Sequence, residues 1–202
     1  AVRAVDPEDE VIMVSKAGLA VRFKESDARS MGRDTTGVRG MDVGRQGEVI
    51  AMDVARDDMD LLVVTENGYG KRTLVREYRK THRGAKGVKT IALTETKGGL
   101  AGALVVREHD GLVFISRDGM VQRTLAEGIN RYGRAAQGVK VMNIREDDVV
   151  SAIAIGTDTG EDDDTQVAEV VGLGAAQPMD SAYATDESQD VTDESPDDAD
   201  DE

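Results

Sequence analysis

Arginine and lysine side chains recur in this sequence at fixed places, and repeated guanidinium and ammonium groups are suited to recognising anions. Arg22, Arg72 and Arg123 are separated by 50 and then 51 residues. The same spacing relates Arg33, Arg83 and Arg134, and again Arg39, Lys89 and Lys140. The segment 78–89 is the richest, with Arg79, Lys80, Arg83, Lys86 and Lys89 set among Gly84, Ala85 and Gly87. Small residues let the backbone approach a flat surface, where N–H groups and guanidinium forks suit phosphate oxygens. The corresponding segments supply Arg29, Arg33 and Arg39, and then Arg131, Arg134 and Lys140. The candidate phosphate-holding set is therefore Arg33, Arg39, Arg79, Lys80, Arg83, Lys86, Lys89, Arg131, Arg134 and Lys140. Arg22, Arg72 and Arg123, on short hairpin strands, fit either a structural role or a rim contact.

These cations are carried by a unit of about fifty residues written three times, from Glu10 to Ala55, Asp60 to Val106 and Gly111 to Ile155. A period of this size points to a propeller, solenoid or array of supersecondary units. Each copy opens with an apolar run, a turn ending in Gly18, Gly68 or Gly119, and a second short strand. Asn67-Gly68 and Asp118-Gly119 between apolar runs are strong hairpin signals. A basic segment follows, and Gly-Val-Arg or Gly-Val-Lys then begins a third strand, expected over 38–43, 88–93 and 139–144. A fourth strand is expected over 48–55, 99–106 and 148–155. Some runs alternate in hydrophobicity, whereas continuously apolar ones predict burial on both faces. Four strands per unit predict an all-β, propeller-like array with blades at about 8–57, 58–108 and 109–157. Basic segments at one end of successive blades would form a curved positive stripe, and such a stripe bends what it holds.

The charge is split along the chain. Of 40 acidic residues, 17 lie between Asp158 and Glu202, where no Lys or Arg occurs, leaving 23 against all 25 basic residues before them. Between 61 and 145 there are 16 basic and 7 acidic residues. A basic body with an acidic tail suggests an anion-binding surface and a segment that screens it. The tail, 158–202, is poor in apolar residues and is expected to be disordered. Because the acid is not spread over the body, a salt-adapted surface explains it poorly. There is no Cys and only His82 and His109, which excludes thiolate zinc sites and histidine clusters. No Walker-type phosphate loop occurs, and no stretch approaches the ~18 apolar residues of a membrane span. Arg131-Tyr132 sits in a loop with no catalytic setting, and Asp162–Asp164 would hold Mg²⁺ only weakly. The segment is expected to be non-catalytic, without a cofactor of its own, and cytoplasmic. Starting at Ala1 within a strand-like unit, it reads as a piece of something longer.

The hairpin-and-loop pattern resembles the C-terminal DNA-wrapping domain of DNA gyrase A. The resemblance is carried by MGRDTTGVRGM at 31–41, ENGYGKRT at 66–73 and RDGMVQRT at 117–124, and it extends over about 8–157. It implies a β-pinwheel, a propeller relative whose blades exchange strands, wrapping double-stranded DNA around a basic rim. The implied parent is an ATP-dependent type II topoisomerase containing Mg²⁺, an assembly of two gyrase A and two gyrase B proteins. This chain would be its last three blades and acidic tail. That family's wrapping box, Gln-Arg-Arg-Gly-Gly-Lys-Gly, is absent; Thr81–Gly87 matches it at Arg83, Gly84, Lys86 and Gly87. Two alternatives stay open: the equivalent domain of topoisomerase IV, and a propeller-like module for an acidic protein partner.

Overall fold

The computed structural model describes residues 2–45 and 47–156. Each repeat begins with a hairpin: β1 (Glu10–Ser15) with β2 (Leu19–Lys24), β4 (Asp60–Thr65) with β5 (Tyr69–Leu74), and β8 (Gly111–Ser116) with β9 (Val121–Leu125). The turn glycines Gly18, Gly68 and Gly119 have φ of 75°, 75° and 88°, the left-handed region that closes a three-residue hairpin loop. A hydroxyl repeats with them. Ser15, Thr65 and Ser116 accept the backbone N–H of Leu19, Tyr69 and Met120 at 3.3, 3.1 and 3.0 Å.

The third strand of each repeat does not join its own sheet. β6 (Val88–Lys89) pairs with β2, and β10 (Val139–Lys140) pairs with β5, so each crosses to the hairpin of the preceding repeat. With β3 (Val49–Ala55), β7 (Leu100–Val106) and β11 (Val150–Gly156), the sheet orders are β3-β1-β2-β6, β10-β5-β4-β7 and β11-β8-β9. All pairings between named strands are antiparallel. This corrects the expected six-residue strands at 88–93 and 139–144, which are two residues long. The segment 38–43 forms no strand, because a preceding hairpin is the partner its equivalents use. The third sheet has three strands among the described residues for the same reason, since β9 receives no strand from a later repeat.

Glycine sets the crossing point. Gly87 (φ 86°) and Gly138 (φ 74°) press on the preceding hairpin, where an added Cβ would lie 2.5 Å from Ala20 O and 2.7 Å from Gly70 O. Only glycine meets both the backbone conformation and the close approach.

Burial follows from stacking the sheets. All six residues of β4 are buried. Leu61 and Val63 join Ile12, Val14 and Ala20 of the first sheet, while Leu62 and Val64 join Leu112 and Phe114 of the third. β8, with one sheet beside it, alternates buried and half-buried positions. Burial on both faces thus belongs to β4 of the middle sheet, each such side chain contributing roughly 1.5–3 kcal/mol. The equally apolar Leu112–Ile115 run of β8 alternates instead, which corrects the expectation that every continuous run is buried on both faces. β3 and β11 both pack on β7, which places the fourth strands inward and β6 and β10 at the outer edges. The expected disorder of 158–202 lies outside the described residues.

Candidate nucleic-acid interface

The outer edges of the first two hairpins hold the basic segments, and a buried ionic clasp fixes each of them. Arg22, 4% exposed, donates to Glu10 at 2.5 Å, pairs with Asp57 at 2.7 Å and donates to the backbone oxygen of Val75 at 3.0 Å. Arg72 repeats this one blade on, donating to Asp60 at 2.9 Å and to the backbone oxygen of Ile129 at 2.7 Å. A cation from the following repeat completes each clasp. Lys80 pairs with Glu10 at 2.5 Å, and Arg131 donates to both oxygens of Asp60 at 2.9–3.2 Å. The hydrogen bonds to Asp60 raise the pKa of the Arg131 guanidinium above its ordinary value. Such charge-assisted hydrogen bonds are strong because both partners are ionised, and the several bonds made by each guanidinium offset the cost of taking the carboxylate out of water.

Past the clasp each segment leaves the sheet and returns at the Gly-Val crossing. Thr81 N–H donates to Arg22 O at 2.7 Å and Tyr132 N–H to Arg72 O at 2.8 Å. Arg83 donates to Asp27 O at 2.8 Å and Arg39 O at 3.2 Å. Gly84 N–H donates to Gly40 O at 2.6 Å, so the box-like loop 81–87 is moulded on the loop before it. Lys140 donates to Asn67 O at 3.0 Å and stands 4.8 Å above the Tyr69 ring.

Lys71 anchors the third loop from beneath. Its side chain is fully buried, and its ammonium donates to the backbone oxygens of Gly133 and Arg134, at 2.5 and 2.8 Å. Burial pushes its pKa down from 10.5 to about 8. Beside it, Thr73 donates to Tyr132 O at 2.7 Å. Tyr78, buried and hydrogen-bonded to Thr90, has its phenol pushed up to about 12 by burial.

The candidate cations therefore fall into two groups. Lys80, Arg83, Arg131 and Lys140 are held by protein partners. Arg33, Arg39, Arg79, Lys86 and Lys89 are exposed, Arg134 is half-buried, and none of the six side chains meets a carboxylate among the described residues. Glu10 and Asp60 are turned inward.

A family model described as the DNA gyrase C-terminal domain, beta-propeller, matches residues 9–56, 60–107 and 112–156, one match per repeat. The chain belongs to the DNA gyrase C-terminal domain family. It is 36% identical over 165 residues to the DNA gyrase A protein of Chlamydia muridarum, covering 80% of this chain and 20% of that one. It is 39% identical over 160 residues to the Streptomyces coelicolor DNA gyrase A protein, covering 78% and 19%. The chain thus spans about a fifth of the length of these relatives. A solved DNA gyrase A C-terminal domain superposes with a TM-score of 0.69 at 29% identity, over 74% of this chain and 51% of that one. A topoisomerase IV C-terminal domain shares the fold, with a TM-score of 0.69 at 22% identity, over 74% of this chain and 47% of that one.

Within this gyrase-type blade, sequence reasoning passed over the acids of the clasp and Lys71. Glu10 and Asp60 each stand twelve residues before the arginine they hold, so that repeat was legible. Lys71 aligns with Val21 and Gln122 and carried no such signal.

Proposed function

We propose that this chain binds double-stranded DNA along the outer edges of its sheets and bends it, without reading its sequence. It would serve ATP-dependent negative supercoiling by the type II topoisomerase to which it belongs. The observation that carries this reading is the sorting of charge: Glu10 and Asp60 are buried in clasps, while Arg33, Arg39, Arg79, Lys86, Lys89 and Arg134 lack carboxylate partners among the described residues. Family membership supports it. The contacts are to phosphate, so affinity comes from counterion release and falls steeply with salt. Lys80, Arg83, Arg131 and Lys140 shape the loops and lend charge.

The parent's other parts, gyrase B and the rest of gyrase A in a cytoplasmic A2B2 complex, would supply the strand passage together with ATP and Mg²⁺. Among the described residues no three His, Cys, Asp or Glu side chains are placed to hold a metal ion. The acidic tail competes with DNA for the cations.

The test is to seal a nicked plasmid with ligase in the presence of the chain and resolve the topoisomers. A shifted linking number is expected if the blades wrap DNA with a fixed hand. Binding at low salt without a shift would leave a holding surface that does not bend DNA, and absence of binding would overturn the reading.

A further inference from the structure

A groove of about 500 Å³ opens where the second and third repeats meet, lined by Glu77, Lys89, Gly133, Arg134, Ala135 and Ala136. Its two cations come from different repeats. Lys89 ends β6, the strand laid on the first hairpin, and Arg134 belongs to the loop that returns to the second hairpin as β10. Lys89 is exposed, Arg134 is half-buried, and neither meets a carboxylate among the described residues. The third loop otherwise contributes only Gly133, Ala135 and Ala136, so no long side chain holds a ligand away from its backbone.

The loop that carries Arg134 is fixed without using that arginine. Lys71 donates to the backbone oxygens of Gly133 and Arg134, and Ala92 N–H donates to Ala136 O at 3.3 Å. The guanidinium is thereby left for a ligand. Arg83, its equivalent one blade back, is not, since it donates to Asp27 O at 2.8 Å. One group in the groove has the opposite sign. Glu77 is exposed, its Oε2 lies 3.9 Å from a Cβ built on Gly133, and it forms no ion pair among the described residues. Its charge acts across the loop on Lys71, whose ammonium form it favours.

We propose, resting on the DNA-binding reading above, that this groove seats a single phosphate of the duplex where it passes from one sheet to the next. Lys89 and Arg134 grip that phosphate together, and Glu77 is a resident negative charge that limits the grip. Two cations from adjacent repeats on one phosphate fix where the strand crosses the junction, which the same cations on separate phosphates would not do. The small residues let the phosphate approach the loop backbone, and the carboxylate in the same groove opposes it at short range, where salt screens least.

The test is the affinity of the full chain for a labelled duplex, followed by fluorescence anisotropy over a range of salt. Replacing both Lys89 and Arg134 with Ala is expected to reduce the slope of log affinity against log salt by about 1, the value for one phosphate, and each single variant by no more than the pair. Glu77→Gln is expected to tighten binding several-fold, and by more than Glu95→Gln, an equal change of charge at an exposed site outside the groove. None of the four side chains is buried, and urea midpoints equal to that of the wild type confirm that each variant folds. A slope reduced by about 2 in the double variant, or not reduced, would overturn the shared seat. Glu77→Gln binding no tighter than Glu95→Gln would overturn the role of the carboxylate. In both cases a wild type that binds leaves the DNA-binding reading standing, whereas a wild type that fails to bind at low salt removes that reading and this one together.

Discussion

Arg72 and Arg79 lie seven residues apart, yet the first is 3% exposed against Asp60 and the second ends in solvent. Burial decides which arginine holds the fold and which is available to a ligand. Replacing Arg72 with Met leaves Asp60 with Arg131 alone and removes the bond to Ile129 O, so a loss of about 3–5 kcal/mol in urea unfolding is expected. Arg79→Ala should change stability by less than about 0.5 kcal/mol. It should instead weaken DNA binding at every sequence and reduce the slope of log affinity against log salt by about 1. Lys71 gives a pH signature. The unfolded chain keeps this proton up to about 10.5 and the folded chain releases it near 8. Between those values the unfolded state binds more protons, so this group's contribution to stability rises with pH through that window. Urea midpoints from pH 8 to 10.5 should show that rise in the wild type and lose it in Lys71→Met.

Two-residue strands are weak elements on their own, and β6 and β10 hold because glycine lets each reach the hairpin behind it. Gly87→Ala meets both a left-handed φ and the carbonyl of Ala20, whereas Gly37→Ala meets the conformational cost alone. The Gly37 change should cost about 1–2 kcal/mol. The Gly87 change should cost distinctly more and speed hydrogen exchange at Val88 and Lys89. Equal losses at both sites would show that the contact with Ala20 O carries no weight.

Across the molecule, strand exchange ties the second and third basic loops each to the sheet before it, so the cations of those loops are displayed by junctions between repeats. The tail brings 17 carboxylates to the same chain as these cations. Neutralising the tail acids with Asn and Gln should tighten DNA binding, most visibly at low salt where screening is weakest. Unchanged or weaker binding would sink the competitive role of the tail. The plasmid experiment belongs to this scale as well, because a change in linking number needs several loops acting on one duplex.

Much of this was legible before any coordinates. The period of 50 and 51 residues, the hairpin glycines and the spacing of Arg22, Arg72 and Arg123 are local or repeated patterns, which a linear sequence displays directly. They carried the all-β array, the hairpins and the basic loops. That continuous apolar runs are buried on both faces held for β4 and not for β8, because only the middle sheet has a neighbour on each side. What the sequence could not display was which partner each segment chooses. Val88-Lys89 reads the same whether it pairs with its own hairpin or the preceding one, since hydrogen bonding between backbones is blind to sequence distance. The split among the candidate cations has the same origin. Arg131 and Arg134 look alike in the sequence, and only the approach of Asp60 from 71 residues away makes one a structural clasp. The chain's chemistry was written in residue types and spacing, and its allocation was decided by burial, which exists only once the sheets are stacked.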